Sequence, residues 1–374
     1  MGAAFLEHFS GIKDPRIERC KRHGLLDILF LSVSAVLAGA EGWEAIEEFG
    51  HLKLGWLRKY VPLANGIPRH DTIARVISRL NPEGLQRCFL NWTQAVAEAT
   101  PGQVVAMDGK TLRRSFDRAS RKSALHLVSA WASRNGVVLG QVKTEEKSNE
   151  ITAIPALLAL LELKGCIVTL DAMGCQREIA EKIVEKQADY VLAVKQNQGG
   201  LHEDLVEFFD TAQQNDFNSV THDSHEETDA GHGRVEVRRY WQSTDIDYLS
   251  RGAAWAGLKT IGMTESERHL GEKVTLERRY YISSLPLDAK AFGNAVRTHW
   301  AVENSLHWVL DVTFREDESR LRRGHAAENF GILRRLALNL LKQETSTAKS
   351  QKAKRRSSGW DDDYREKILF GKAL

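Results

Sequence analysis

Cysteine is scarce in this chain: Cys20, Cys88, Cys166 and Cys175 stand far apart, with no Cys-x-x-Cys pair among them. That spacing argues against a disulfide framework and against a cysteine-rich zinc module, and a reducing cytoplasm is the expected compartment. Long hydrophobic runs are missing too. The longest, residues 28–40, carries two serines and falls short of the ~20 residues a membrane-spanning helix needs, so it is expected as a buried core helix. The opening MGAAFLEHFSGIKDPR lacks the charged-then-apolar order of a secretory signal. Neither sign of charge dominates: Lys+Arg 52 against Asp+Glu 50 leaves +2, so any basic surface must be local. What is present is ordinary globular composition, 42% hydrophobic and 27% charged over 374 residues, which excludes wholesale disorder and leaves room for two or three structural units. No internal repeat is found.

Residues 1–100 read as a compact helical domain, in which Asp71 is expected to cap HDTIARVISRL and Pro82 to sit in the first turn of PEGLQRCFLNWTQAVAEA. From Gln103 the pattern turns to strands, QVVAMD, ALHLVSAWAS and GVVLGQVKT, the last two joined across Arg134, Asn135 and Gly136, a hairpin signal. A helix over 154–163 with Pro155 in its first turn follows, then the strand CIVTLD, the helix QREIAEKIVEK, the strand YVLAVK and the helix GLHEDLVEFF. Three strands followed by alternating helices and strands predict a mixed α/β sheet over 101–217. The polar, β-rich stretch 218–285 reads as an insertion. Helices over 289–308 and 326–342 complete the core within 286–343, and 344–374, with Lys349, Lys352, Lys354, Arg355 and Arg356, is expected to be a basic, mobile tail.

The chemistry concentrates on three acids. Asp108 in VVAMDGKTLRR and Asp171 in IVTLDAMG are expected at or just beyond strand ends, where neighbouring strands can present both carboxylates to one cleft; each alone could equally be a turn-forming aspartate. Glu303 in RTHWAVENSLHWVLDVTFRED has His299 at i−4, Trp300 at i−3 and His307 at i+4, which places all four on one helical face. The alternative is a buried structural cluster with Glu303 neutralised by Arg297 or a histidine. Three gathered carboxylates resist joint ionisation unless cations compensate them, and Mg²⁺ or Mn²⁺, hard ions that favour oxygen ligands, are the usual solution. Two such ions suit phosphoryl transfer.

Beyond single residues, AEGWEAIEEFG, NGIPRHDTIARV, AMDGKTLRRS, GQVKTEEKSNEITAIPALL, LDAMGCQREIAEKI, YVLAVKQNQG, RYYISSL and RTHWAVENSLHWVLDV with RRGHAAENF follow one another in that order over about residues 39–340. On these segments the chain resembles DDE-type transposases of bacterial insertion sequences, most closely the H-repeat-associated branch linked to Rhs elements. The resemblance implies a ribonuclease H-like mixed-sheet core with an N-terminal helical domain and a β-rich insertion. It also implies a triad at Asp108, Asp171 and Glu303 that binds Mg²⁺ or Mn²⁺, cuts DNA at element ends and transfers the strand to target DNA, with double-stranded DNA and a homodimer assembled on it as partners. A domesticated relative that binds DNA without cutting, and an ordinary two-metal nuclease or phosphatase, are the alternatives. The Tyr-x2-Arg-x3-Glu-x6-Lys signature of related transposases is absent, its places holding Val296, His299 and Leu310. Arg297, His299 and His307 are the expected replacements in contacting phosphate.

Six basic residues, Lys110, Arg113, Arg114, Arg118, Arg121 and Lys122, against Asp117 alone, predict a phosphate track beside Asp108, led by Lys110, Arg113 and Arg114. Lys195 and Asn197, after the fifth strand, are expected to touch a phosphate or base. His222, His225 and His232 have no helical register and read as a surface or DNA-facing loop rather than a zinc site, followed by a strand with Arg234, Arg238 and Arg239. Cys175 reads as a small packing residue.

Overall fold

The apolar run near the N-terminus forms the helix its hydropathy demands and nucleates a helical layer. The computed structural model describes residues 2–96, 101–116, 123–144, 150–231, 234–250 and 252–371. Helices α1 (Gly2–Ser10), α2 (Leu25–Leu37), α3 (Trp43–Leu52), α4 (Leu54–Leu57), α5 (His70–Ile77) and α6 (Pro82–Val96) come first, with α2 buried along almost its whole length. Pro82 opens α6 as expected. The α5 cap differs: Arg69, in extended conformation, takes the cap position, and Asp71 lies inside the first turn, where its charge suits the positive end of the helix dipole.

The sheet has nine strands: β1 (Val104–Leu112), β2 (Leu125–Ala132), β3 (Val137–Lys143), β4 (Ile167–Leu170), β5 (Asp189–Val194), β6 (His222–Gly231), β7 (Arg234–Ser243), β8 (Thr260–Leu270) and β9 (Lys273–Ser283), in the order β3-β2-β1-β4-β5-β9-β8-β7-β6. The first three pair antiparallel, β2 with β3 through the turn at Gly136, and β1, β4 and β5 run parallel. Their crossovers are α7 (Glu150–Leu160) and α8 (Arg177–Glu185), with α9 (Gly199–Gln214) after β5. Pro155 stands inside α7 rather than in its first turn, because the helix starts four residues earlier than expected. This is the predicted mixed α/β class.

The β-rich stretch inserted in the chain is not a separate body in space. β9 pairs with β5, Val191 opposite Ser283, so the two hairpins prolong the same sheet. The predicted histidine loop is therefore strand β6, with His222 and His225 on it; His232 lies outside the described residues. Far from the core these strands are held by cross-strand charge: Arg239 contacts Glu226, Glu265 and Glu267, and Arg278 contacts Glu265.

After the sheet come α10 (Ala289–Val302), α11 (Trp308–Phe314), α12 (Ala326–Gln343), α13 (Gln351–Trp360) and α14 (Asp362–Phe370). The tail expected to be mobile is instead docked. Arg355 is buried and donates from Nε to Val36 O at 3.0 Å and from Nη2 to Ala40 O at 3.1 Å, supplying partners for carbonyls at and beyond the end of α2. Fully buried Arg365 stacks on Trp56 and Phe49, 4.1 and 5.2 Å from the ring centroids. Gly359 lets α13 approach this closely, since a Cβ there would lie 2.6 Å from Ala38 O. One apolar core thus spans α2, α3, α5, α6, α12 and α14. Arg355→Ala is expected to lower the unfolding free energy by about 3 kcal/mol, from lost charge-assisted bonds to buried carbonyls; an unchanged urea midpoint would mean that the tail is not docked. Among the described residues no helix is long and apolar enough to cross a membrane.

Candidate active site

Sheet register brings two of the three acids together. Met107 on β1 pairs with Leu170 on β4, so Asp108 and Asp171 follow side by side on chains ~5 Å apart. Asp108 is not at the end of its strand as expected. β1 continues to Leu112 on β2, with Asp108 opposite Ser129, whereas β4 ends at Leu170. Asp108 therefore sits where β1 first loses its parallel neighbour and the sheet opens. Asp171 caps the turn that follows, accepting from Met173 N at 3.0 Å and Gly174 N at 3.3 Å.

Glu303 enters from α10 by a device that residue spacing does not reveal. Between α10 and α11 the backbone widens into a π turn, Glu303–His307, a distortion common at functional sites. His307 Nδ1 lies 3.1 Å from Glu303 Oε2 and 3.5 Å from Asp108 Oδ2. Asp108, Glu303 and His307 each offer one atom within 4.8 Å of the others; Asp171 stands outside this tightest group. His299 and Trp300 do not join it. His299 is buried, with Nδ1 3.0 Å from Thr169 Oγ1 on β4, and Trp300 is exposed beneath the Arg279 guanidinium.

The electrostatics are those of an acid cluster short of positive charge. Burial, reinforced by Glu150, Asp171 and Glu303, pushes the Asp108 carboxyl up to about 7, against the hydrogen bond from Gly109 N. Burial and Glu150 also raise Asp171, while its backbone amides and Lys195 hold it back. Burial lowers His307, opposed by Glu303. Among the described residues no Lys or Arg forms an ion pair with Asp108 or Glu303, and His307 Nε2 is buried without a partner. Hard carboxylate oxygens with one imidazole, short of compensation, fit a divalent cation.

Glu150 is the residue that sequence reasoning missed. It stands at the start of α7, with Oε1 2.8 Å from His126 Nε2 on β2, and His126 Nδ1 is 2.8 Å from Thr111 Oγ1. The pair lies over Gly109: a Cβ there would come within 2.0 Å of Glu150 Oε1 and 2.5 Å of His126 Nε2. Its only sequence signal is an acid at a helix N-terminus, which the dipole explains equally well.

Several expected phosphate contacts fall elsewhere. Lys110 is buried, and its Nζ binds Asp311 at 2.6 Å and Asp317 at 3.2 Å; β1 is still pleating at this residue and turns the side chain inward against α11. Arg297 is occupied by Glu227 at 2.7 Å and Asp229 at 3.1 Å on β6, so it neither neutralises Glu303 nor stands free. Burial holds His299 down at about 4, which makes it a neutral strut between α10 and β4 rather than a phosphate contact. Asn197 donates to Ala172 O at 2.7 Å and braces the turn after Asp171, while Lys195 lines the open cavity beside Asp171. Arg113 and Arg114 are exposed just past β1, Arg113 3.2 Å from Asp317. Arg118, Arg121 and Lys122 lie outside the described residues. Cys175 is buried and its thiol is raised by burial, as a packing residue should be; all four cysteines are free.

Comparison with known proteins adds an independent line. The family described as "Transposase DDE domain" matches residues 99–340, and the one described as "DDE_Tnp_1-associated" matches residues 6–93. "Putative transposase YncI" of Escherichia coli O157:H7 is 48% identical over 370 residues, covering 98% of this chain and 94% of that protein. "H repeat-associated putative transposase YhhI" of Escherichia coli strain K12 is 43% identical over 374 residues, covering 99% and 98%. A solved piggyBac transposase synaptic complex with hairpin DNA aligns over all of this chain and 79% of its own, at 11% identity and a TM-score of 0.42.

Proposed function

We propose, because this chain belongs to the family of transposases with a DDE domain, that it cleaves phosphodiester bonds at the ends of a mobile DNA element and joins the freed 3′ ends to target DNA. Asp108, Asp171 and Glu303 are the catalytic acids in this reading. The observation that carries it is the cluster of Asp108, Glu303 and His307 at the opening of the sheet, one strand from Asp171. Mg²⁺ or Mn²⁺ held by these acids would neutralise the scissile phosphate and polarise the attacking and leaving oxygens. The chain itself supplies position. Amides of Met173 and Gly174 orient Asp171, His307 holds the Glu303 carboxylate, and Lys110 ties β1 to Asp311 on α11 so that Asp108 and Glu303 face each other. Arg113, Arg114 and Lys195 contact the backbone of double-stranded DNA, and a homodimer assembles on it. Incubation of the purified protein with a duplex carrying the flanks of its gene, with MgCl₂ or MnCl₂, should yield cuts at fixed positions; DNA left intact with both ions would sink the reading.

Cation binding should also register in stability. A carboxyl raised to about 7 when folded, against 3.8 ordinarily, stabilises the cation-free protein fully below pH 4, and that contribution is lost as pH rises through 7. A divalent cation competes with the proton, so its stabilisation grows over the same interval. At a tenfold excess over Kd, MgCl₂ should add about 1.4 kcal/mol, with a larger rise in Tm at pH 8 than at pH 6. An equal or absent rise at the two pH values would remove the cation from this site.

A further inference from the structure

We propose that the helical N-terminal region holds a second phosphate-binding groove for duplex DNA, joined to the catalytic cleft by the arginine loop at 320–323. This rests on the DNA-directed reading above but concerns a different part of the molecule. A cavity opens between α5 and the segment leading into α2. Arg69, Arg75 and Arg79 line one side and Arg16, Arg22 and His23 the other, and no acid is in its lining. Arg75 projects from α5, Arg69 stands at its N-cap and Arg79 follows just past its end, and all three line the cavity. Arg16 is neutralised by Asp14, at 2.8 Å. Arg22, Arg69, Arg75 and Arg79 are exposed and form no ion pair with any described residue. Like charges gathered without counter-charge repel one another, so an anion entering the groove relieves repulsion as well as gaining contacts. Burial, with Arg22 and Arg16 nearby, holds the His23 imidazole below its ordinary range, consistent with that positive potential.

The groove continues toward the acids. His325 N donates to Ser78 O at 2.9 Å, so the loop before α12 meets the chain immediately before Arg79. That loop carries Arg320, Arg322 and Arg323, and Arg322 donates from Nε to Arg114 O at 2.9 Å while stacking on Phe116. Arg113 and Arg114 follow directly on Leu112, the end of β1, which lies about 13 Å along the strand from Asp108 at ~3.3 Å per residue. Guanidinium groups thus mark a path from beside the catalytic cleft, across the loop, to α5. Guanidinium matches phosphate by bidentate bonding. A path reaching from the scissile position to another domain suits a duplex, whose charge repeats along its length, rather than a compact anion.

The test is the salt dependence of binding by a fluorescein-labelled duplex carrying the gene's flanks, followed by anisotropy over a NaCl series without divalent ions. The triple variant Arg69→Ala, Arg75→Ala, Arg79→Ala should flatten log Kd against log[NaCl] by about 0.9 for each lost phosphate contact. The corresponding triple lysine variant should keep most of the slope. Should the alanine variant fail to fold, as judged by thermal melting, Arg75→Glu and Arg323→Glu taken singly should each flatten it by about one. Wild-type binding with unchanged slopes in the folded variants would overturn the groove and leave the family reading standing. Absence of wild-type binding at every salt concentration would overturn both. Displacement of the duplex by polyglutamate at equal charge concentration would assign the groove to an acidic protein partner and overturn the DNA proposal.

Discussion

Asp108→Asn, Asp171→Asn and Glu303→Gln are each expected to cut strand cleavage by about 10³-fold or more while leaving duplex binding intact or tighter. That figure is the upper end of the loss, about 10²–10³-fold, when a single electrostatic stabiliser is removed from a transition state; a missing cation ligand should cost at least as much. Each amide keeps the shape of its acid. Asn at 171 still offers an oxygen to Met173 N and Gly174 N, so the turn after β4 should survive. What changes is charge: fewer anionic oxygens hold the cation, and less negative potential opposes incoming phosphate. The two readouts must therefore move apart. Quantified cleavage of end-labelled duplex, beside anisotropy of the same duplex, separates them. A variant cleaving at near-normal rate would strike its residue from the catalytic set.

Glu316→Ala should destabilise the fold by about 3–5 kcal/mol, the usual cost of leaving a buried charge without its partner. Glu316 is fully buried in the turn after α11, where Oε1 accepts from Arg335 Nη1 at 3.0 Å and lies 3.9 Å from Arg334 Nη1. Both arginines are buried on α12; burial lowers Arg334 to about 10, against the pull of Glu316. Arg335 also lies 3.4 Å from Ser129 Oγ on β2, the residue opposite Asp108 in the sheet, so the network buttresses the strand that carries the proposed site. A paired replacement, Glu316→Leu with Arg335→Met, should cost less than Glu316→Ala, because it removes a buried charge together with its partner. Urea unfolding of the variants checks both statements. A Glu316→Ala shift below about 1 kcal/mol would show that the buried guanidinium groups find water or other partners.

Buried charge elsewhere in the molecule also marks where sequence stops being informative. Lys110 reads as the first residue of a basic phosphate track because its neighbours in the chain are basic. Its partners, Asp311 and Asp317, are about two hundred residues away, and chain proximity carries no trace of them. Arg355 and Arg365 read as parts of a polar tail for the same reason, yet each satisfies groups on distant helices. In both cases a charged side chain is buried because a specific partner meets it, and hydropathy averages cannot report partners. Glu150 was invisible on this ground as well: its site lies across the sheet, over a glycine on β1.

Local pattern by itself determined the alternation of strands and helices, the hairpin at Gly136 and the buried helix α2. These follow from periodicity, turn chemistry and the rule that parallel strands need crossovers, all properties of short stretches of chain. Tertiary structure alone decided the π turn that carries Glu303 beside His307 and Asp108, the continuation of the inserted hairpins into the core sheet, and the docking of the C-terminal helices. Those depend on which surfaces meet once the chain has closed on itself. The energies involved, a widened helical turn, an added strand pair and a buried arginine, are repaid only by contacts made far away in sequence.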